Sequence, residues 1–201
     1  SANLPARERY LIITNHARLA SDNQKAIEYY QQLAKASPED TEIQLALGGI
    51  YDSMGSFDQA REHYNNVLQR DPQSPDALLA LGRMLTRSGD PQGGLKYLNT
   101  AYNLAVQNSN DRNKAAAQYG MGVAYDFLNK LDEALRSLQD SLTLRRKFGD
   151  ERGGAASLNY IGVVQGEQGN SKAADKSFQE ALNIQNKIGD KRGLGATLLD
   201  Y

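Results

Sequence analysis

The feature that most limits what this chain can fold into is a pattern that returns in phase along it. Residues 41–72 read TEIQLALGGIYDSMGSFDQAREHYNNVLQRDP, and most of the remaining sequence restates them. Leu47, Gly48 and Tyr51 share one helical face, and Ala60, Tyr64 and Val67 share another, the spacing of two amphipathic helices. Between them Gly55 suits the left-handed residue that ends a helix, and Ser56 suits an N-cap. Pro72 after Asp71 closes the second helix, because proline lacks an N–H and disfavours a helical residue before it. The stretch is a helical hairpin. Gly48 and Ala60 are small where two axes must approach, whereas Leu47, Tyr51, Phe57, Tyr64 and Leu68 fill the space around them. One such hairpin buries too little apolar area to stand alone and needs neighbours.

The neighbours are written into the chain. Pro38 and Pro72, Ala26 and Ala60, and Gly48 and Gly82 are each separated by 34 residues. Beyond that the period lengthens: Gly82, Gly122 and Gly162 follow at 40-residue steps, and Arg112, Arg152 and Arg192 keep the same step. The extra residues fall at the end of each second helix and the start of the next. There Gly149-Asp150 and Gly189-Asp190 each offer a stop followed by a cap. The arginines are expected to make solvated ion pairs or carbonyl contacts in these junctions, and Gly153-Gly154 is expected to lie in one. Within the hairpins Gly55, Gly89, Asn129 and Gly169 take the stop, while Asp22, Ser56, Asp90 and Asn170 take the cap, with Lys130 the exception. Thr14 stands where the second repeat has Gly48, which predicts a wider first hairpin or an adapted N-terminal cap.

The balance of 23 basic against 24 acidic residues gives no field that would gather nucleic acid or an anionic membrane. No apolar run approaches the roughly 20 residues that span a bilayer, and no targeting segment is visible. The expected compartment is the cytoplasm, without membrane insertion. A chain without cysteine has no disulfide scaffold and no thiolate metal site. Mean hydropathy of −0.62 fits a thin, elongated core.

The spacing Leu-Gly-x-x-Tyr, Ala-x-x-x-Tyr/Phe, then Pro resembles the tetratricopeptide repeat. It is carried by Leu47, Gly48, Tyr51, Ala60, Tyr64 and Pro72, then by Met121, Gly122, Tyr125, Ala134 and Leu138, and again by Ile161, Gly162, Ala174, Phe178 and Ala181. The 40-residue repeats with a Gly-Asp-x-Arg-Gly junction resemble the variant of kinesin light chains and bacterial regulatory proteins. The chain also resembles repeat regions beside kinase or other signalling domains in large bacterial proteins. The resemblance implies an all-α fold, an α–α superhelix or solenoid of five helical hairpins plus the start of a sixth. The repeats are placed at about 7–40, 41–74, 75–114, 115–154 and 155–194, with a partial one at 195–201, as a single array over 1–201.

The same resemblance places a partner-binding groove along the first helices. Its floor would carry Leu11, Leu45, Leu79, Tyr119 and Asn159; the next row Asn15, Gly49, Arg83, Val123 and Val163; and a third row Arg18, Asp52, Thr86, Asp126 and Gly166. An apolar floor with Arg and Asp on its wall suits an amphipathic helix or an extended peptide. The same leucines would equally serve to pack neighbouring first helices together. A carboxylate clamp of the chaperone-binding kind is excluded, since Leu11 stands in place of its lysine and Gly49 and Ala46 offer no amide. Asn159 resembles the groove asparagines that hold a peptide backbone.

No catalytic constellation is legible. His16 and His63 sit in different repeats without metal-ligand spacing, acidic pairs such as Glu39-Asp40 and Asp132-Glu133 lie at helix starts, and Arg145-Arg146-Lys147 closes a helix. The sequence therefore predicts a non-enzymatic scaffold without cofactor or metal that binds a protein or peptide partner and no nucleic acid. Two alternatives stay open: self-association through the uncapped final helix, with Leu194, Leu198 and Tyr201 unpartnered, or the docking region of a larger signalling enzyme.

Overall fold

In the computed structural model, which describes residues 23–201, the chain is entirely helical: the described residues form ten α-helices and no strand. In chain order these are α1 (Asn23–Ala36), α2 (Thr41–Ser53), α3 (Phe57–Arg70), α4 (Pro75–Arg87) and α5 (Pro91–Gln107). They continue with α6 (Asp111–Phe127), α7 (Leu131–Lys147), α8 (Glu151–Glu167), α9 (Ser171–Ile188) and α10 (Lys191–Asp200). Thr14, Asp22 and the first hairpin's opening helix lie outside the described residues.

Contacts divide the chain into two units, Ser1–Met84 and Leu85–Tyr201, with the division inside α4. In the first unit α2 and α3 form the hairpin read from the sequence, closed around Ile43, Leu47, Ile50, Ala60, Tyr64 and Val67, all buried. In the second unit α6, α7, α8 and α9 form two successive hairpins. Ala134, Leu138, Leu142, Leu158, Ile161, Val164 and Ala181 make one continuous core through them.

The close approach inferred from the small residues is present. A Cβ added at Gly48 would lie 2.5 Å from the Tyr64 ring, at Gly122 2.6 Å from Leu138 Cγ, and at Gly162 2.7 Å from the Phe178 ring. Each distance is shorter than real carbon contacts allow, so the helices cross at their present separation only because those side chains are absent.

The turns follow the predicted chemistry with instructive departures. Gly55 takes φ +74° and Asn129 φ +56°, the left-handed region where glycine and asparagine are tolerated. Asp90, Asp150, Asn170 and Asp190 cap α5, α8, α9 and α10 through their side chains. Ser56 stands at the N-cap of α3 but its hydroxyl makes no capping bond. Asp40 and Asn110 also cap α2 and α6. Gly153 and Gly154 lie in the first turn of α8, and not in the junction loop expected of them. The cause is the cap itself: Asp150 Oδ1 accepts the Gly153 N–H at 2.9 Å, and a Cβ there would meet Asp150 Oδ2 at 2.1 Å. Arg152 pairs with Asp190 at 3.2 Å as a junction arginine should, whereas Arg112 stacks its guanidinium over the Phe148 ring at 5.2 Å.

Candidate functional site

The residues that the resemblance assigns to a groove are placed unevenly. Leu11, Asn15 and Arg18 lie outside the described residues. On α2, Leu45 and Asp52 are half-buried and Gly49 is exposed. On α4, Leu79 is only 4% exposed and Thr86 1% exposed, so both are enclosed by the protein itself, while Arg83 faces solvent. In the second unit Tyr119, Val123 and Asp126 on α6 and Asn159 and Val163 on α8 are all half-buried, the exposure a contact surface needs.

The reason these five share a side is helical phase. Tyr119, Val123 and Asp126 recur along α6 at steps of four and three, a stripe that runs beside Gly122, which faces α7. Asn159, Val163 and Gly166 repeat the arrangement on α8. Side chains then bridge the two helices. The Tyr119 and Tyr160 rings meet edge to face with centroids 6.1 Å apart, an orientation favoured by their quadrupoles. Tyr160 donates its hydroxyl to Asp126 Oδ2 at 2.9 Å. Burial first, and then the Asp126 carboxylate, hold the Tyr160 phenol well above its ordinary value.

Sequence reasoning missed Glu167, one residue beyond the expected row. The nearby Asp126 carboxyl first, and then burial, push its exposed carboxyl up to about 7. The signal available in the sequence was only an acid one position past Gly166, which identifies no partner.

At the end of this face α8, α9 and α10 line an open pocket of about 680 Å³, with Gly162, Val163, Glu167, Asp175, Phe178 and Asp200 among its lining residues. Asn159 Nδ2 donates to Asp200 Oδ2 at 2.7 Å, Tyr201 donates its hydroxyl to Asp175, and the Tyr201 ring lies 5.4 Å from that of Phe178. Along α10, Leu198 is 58% and Leu199 88% exposed.

Of the remaining candidates for chemistry, His16 lies outside the described residues, and the following ones contact neighbouring side chains. His63 stacks on Tyr51 at 5.4 Å, and its Nδ1 lies 2.7 Å from Gln44 Oε1. Burial pulls its imidazole below the ordinary value, opposed by Glu62. Arg145 lies over the Tyr119 ring at 5.3 Å, Arg146 pairs with Glu180, and Lys147 pairs with Asp111 at 2.7 Å. Among the described residues no cluster of His, Asp or Glu could hold a metal ion, and no helix is long and apolar enough to cross a membrane.

Comparison with known proteins adds independent observations. Two family models described as tetratricopeptide repeat match residues 17–65 and 73–147. The BBSome complex member BBS4 of Bos taurus is 38% identical over 81 residues, which make up 40% of this chain and 16% of that protein. The chain thus spans a small part of this curated relative. A thermophilic repeat protein of Thermus thermophilus superposes with a TM-score of 0.77 at 20% identity, covering 96% of this chain and 100% of that one. A Rap protein crystallised in complex with Competence and Sporulation Factor superposes with a TM-score of 0.84 at 13% identity, over 94% of this chain and 56% of that one. At such identities the structural likeness concerns the fold.

Proposed function

The chain belongs to the tetratricopeptide repeat family, and from that premise we propose that it is a non-catalytic docking scaffold whose second unit holds a peptide or helix of a partner protein against α6 and α8. The observation that carries this reading is the row of half-buried side chains, Tyr119, Val123 and Asp126 beside Asn159 and Val163, presented on one side of two adjacent helices. Aromatic and aliphatic surface supplies contact area, while Asp126 and Asn159 supply polar groups that fix orientation. Asp126 Oδ1 and Asn159 Oδ1 have no hydrogen-bond partner among the described residues, and a bound segment that reorders these side chains would supply one. The Rap protein that shares the fold was crystallised with a bound factor, which is consistent with an arrangement of this kind taking a peptide.

Selection of a displayed peptide library on the whole chain tests the reading. Enriched peptides should lose at least about tenfold in affinity with Val163→Glu or Asn159→Ala, roughly 1.4 kcal/mol or more, with helical circular dichroism unchanged. Enrichment of nothing, or equal binding by both variants, overturns it.

A second reading rests on α10. Leu198, Leu199 and Tyr201 are 58%, 88% and 56% exposed, an apolar surface that self-association or a further helix would cover. Sedimentation over a range of concentrations distinguishes it: a strict monomer at high concentration argues against self-association. The small share of BBS4 that the chain matches is also compatible with a place inside a larger protein, including a signalling enzyme.

A further inference from the structure

The open pocket at the end of the candidate docking face is lined by Glu167 of α8, Asp175 of α9 and Asp200 of α10, and by no lysine or arginine. Among the described residues, the ion pairs of this unit are made by Asp111, Asp150, Glu151, Glu180 and Asp190. The pocket acids are not among them. Asp200 accepts the Asn159 amide at 2.7 Å and Asp175 accepts the Tyr201 hydroxyl. These neutral donors orient the two carboxylates and leave their charge unbalanced. At Glu167 the nearby Asp126 carboxyl raises the acid further, the direction that crowding of like charge gives.

The repeat shows what is unusual here. Leu131 and Leu135 of α7 stand 40 residues before Ser171 and Asp175 of α9. Both leucines pack against the core to which α8 contributes Ile161 and Val164. Thus α7 offers apolar surface to the helix beside it, whereas α9 offers a hydroxyl and a carboxylate at the same two positions. An apolar segment laid over Asp175 would strip water from a charge and return no counter-ion, which is unfavourable. A segment that brings a cation there satisfies the charge instead.

The lining also suits the shape of such a side chain. Val163 and Phe178 belong to the same pocket, and the Tyr201 ring lies 5.4 Å from that of Phe178. Lysine and arginine bury an aliphatic stem against surface of this kind while the charged head reaches polar groups, and their cations are attracted to aromatic faces. A metal ion does not fit as well, because among the described residues no cluster of acids is gathered closely enough to hold one.

We propose that the partner segment docked by this unit is cationic, and that the pocket between α8, α9 and α10 receives one of its lysine or arginine side chains between Glu167, Asp175 and Asp200. This rests on the docking reading above and names the chemistry of its partner.

Peptides selected from the displayed library on the whole chain test it. Enriched sequences should carry more Lys and Arg than the starting library. A synthetic copy of one, with its Lys and Arg changed to Gln, should bind the wild-type chain about tenfold more weakly, and binding of the original should weaken as salt rises. Glu167→Gln combined with Asp175→Asn, which keeps an acceptor for the Tyr201 hydroxyl, should weaken the original peptide by a similar factor and leave the Gln copy unaffected. Circular dichroism checks that this variant folds; if it does not, the two peptides on the wild-type chain still decide. Enriched peptides without excess Lys and Arg, or a Gln copy that binds equally well, overturn the cationic partner and leave docking on α6 and α8 standing. A selection that enriches nothing overturns docking itself, and the cationic partner with it. A dimer in sedimentation that the double variant makes monomeric assigns the pocket to a second copy and overturns the proposal.

Discussion

The hairpin α2–α3 and the stack α6–α9 are built on one plan and finished differently. Both cross two helices at a glycine: Gly48 under Tyr64 in the first, Gly122 under Leu138 and Gly162 under Phe178 in the second. The second helix of the short hairpin, α3, has 14 residues, whereas α7 has 17 and α9 has 18. The added turn makes no new core. It reaches the start of its own hairpin and pairs there, Lys147 with Asp111 at 2.7 Å and Lys187 with Glu151 at 2.6 Å. Lengthening a repeat therefore adds polar fastenings around an unchanged crossing. Such exposed pairs contribute little stability each, and their use is to fix register.

The largest effects should come from the shared crossing. Gly122→Leu and Gly162→Leu should each cost about 1–3 kcal/mol or more, read from urea unfolding midpoints, and Gly48→Leu should behave alike. Gly49→Ala, one residue away, meets only the Tyr64 hydroxyl at 4.0 Å and should be neutral or stabilising by up to about 1 kcal/mol. Equal costs at Gly48 and Gly49 would break the claim that both regions share a crossing.

A smaller loss should mark the seam that the stack alone shows. Ser141 on α7 is fully buried; its hydroxyl donates to Ala115 O on α6 at 2.8 Å and lies 3.3 Å from Ser157 Oγ on α8. Ser141→Ala should cost about 1 kcal/mol, because a neutral buried hydrogen bond contributes roughly that much. Thermal unfolding of this variant paired with Ser157→Ala should show non-additivity, since the two share one bond.

The smallest effect separates the two regions by its sign. His63 in α3 is held below its ordinary 6.5 mainly by burial. Its contribution is present above 6.5 and is lost as pH falls through the lowered value, opposite in sign to that of a raised carboxyl such as Glu167. His63→Phe would keep a ring against Tyr51 but leave Gln44 without its partner. Its unfolding temperature should be lower than that of the wild type and lack the acid-side decline, by circular dichroism across the acidic range.

The sequence made the crossings and most turns legible because both depend on residues close in the chain or at a fixed repeat. Gly122 announces a close approach whichever residue it meets, and Asp150 announces a cap. What it did not show depends on the register of one helix on another. Ser141 and Ser157, or Asp126 and Tyr160, are ordinary polar residues until packing sets them side by side. Leu79 illustrates the reverse: the family resemblance put it on the expected groove floor, yet it is 4% exposed, because a repeat position gives direction without saying what already lies there. Gly153 was misplaced for a similar reason, since two glycines look like a loop until the Asp150 carboxylate is seen to need the room.

The joints Gly149-Asp150 and Gly189-Asp190 stand 40 residues apart, and the aspartate of each caps the helix that follows. A cassette excised from one joint to the next thus carries its own terminators and leaves no raw helix end on either flank. Duplicating or deleting such a cassette would lengthen or shorten the molecule in whole increments, with no fresh interface to invent. Evolution by tandem copying, and modular engineering by the same cut, would start from the same two dipeptides.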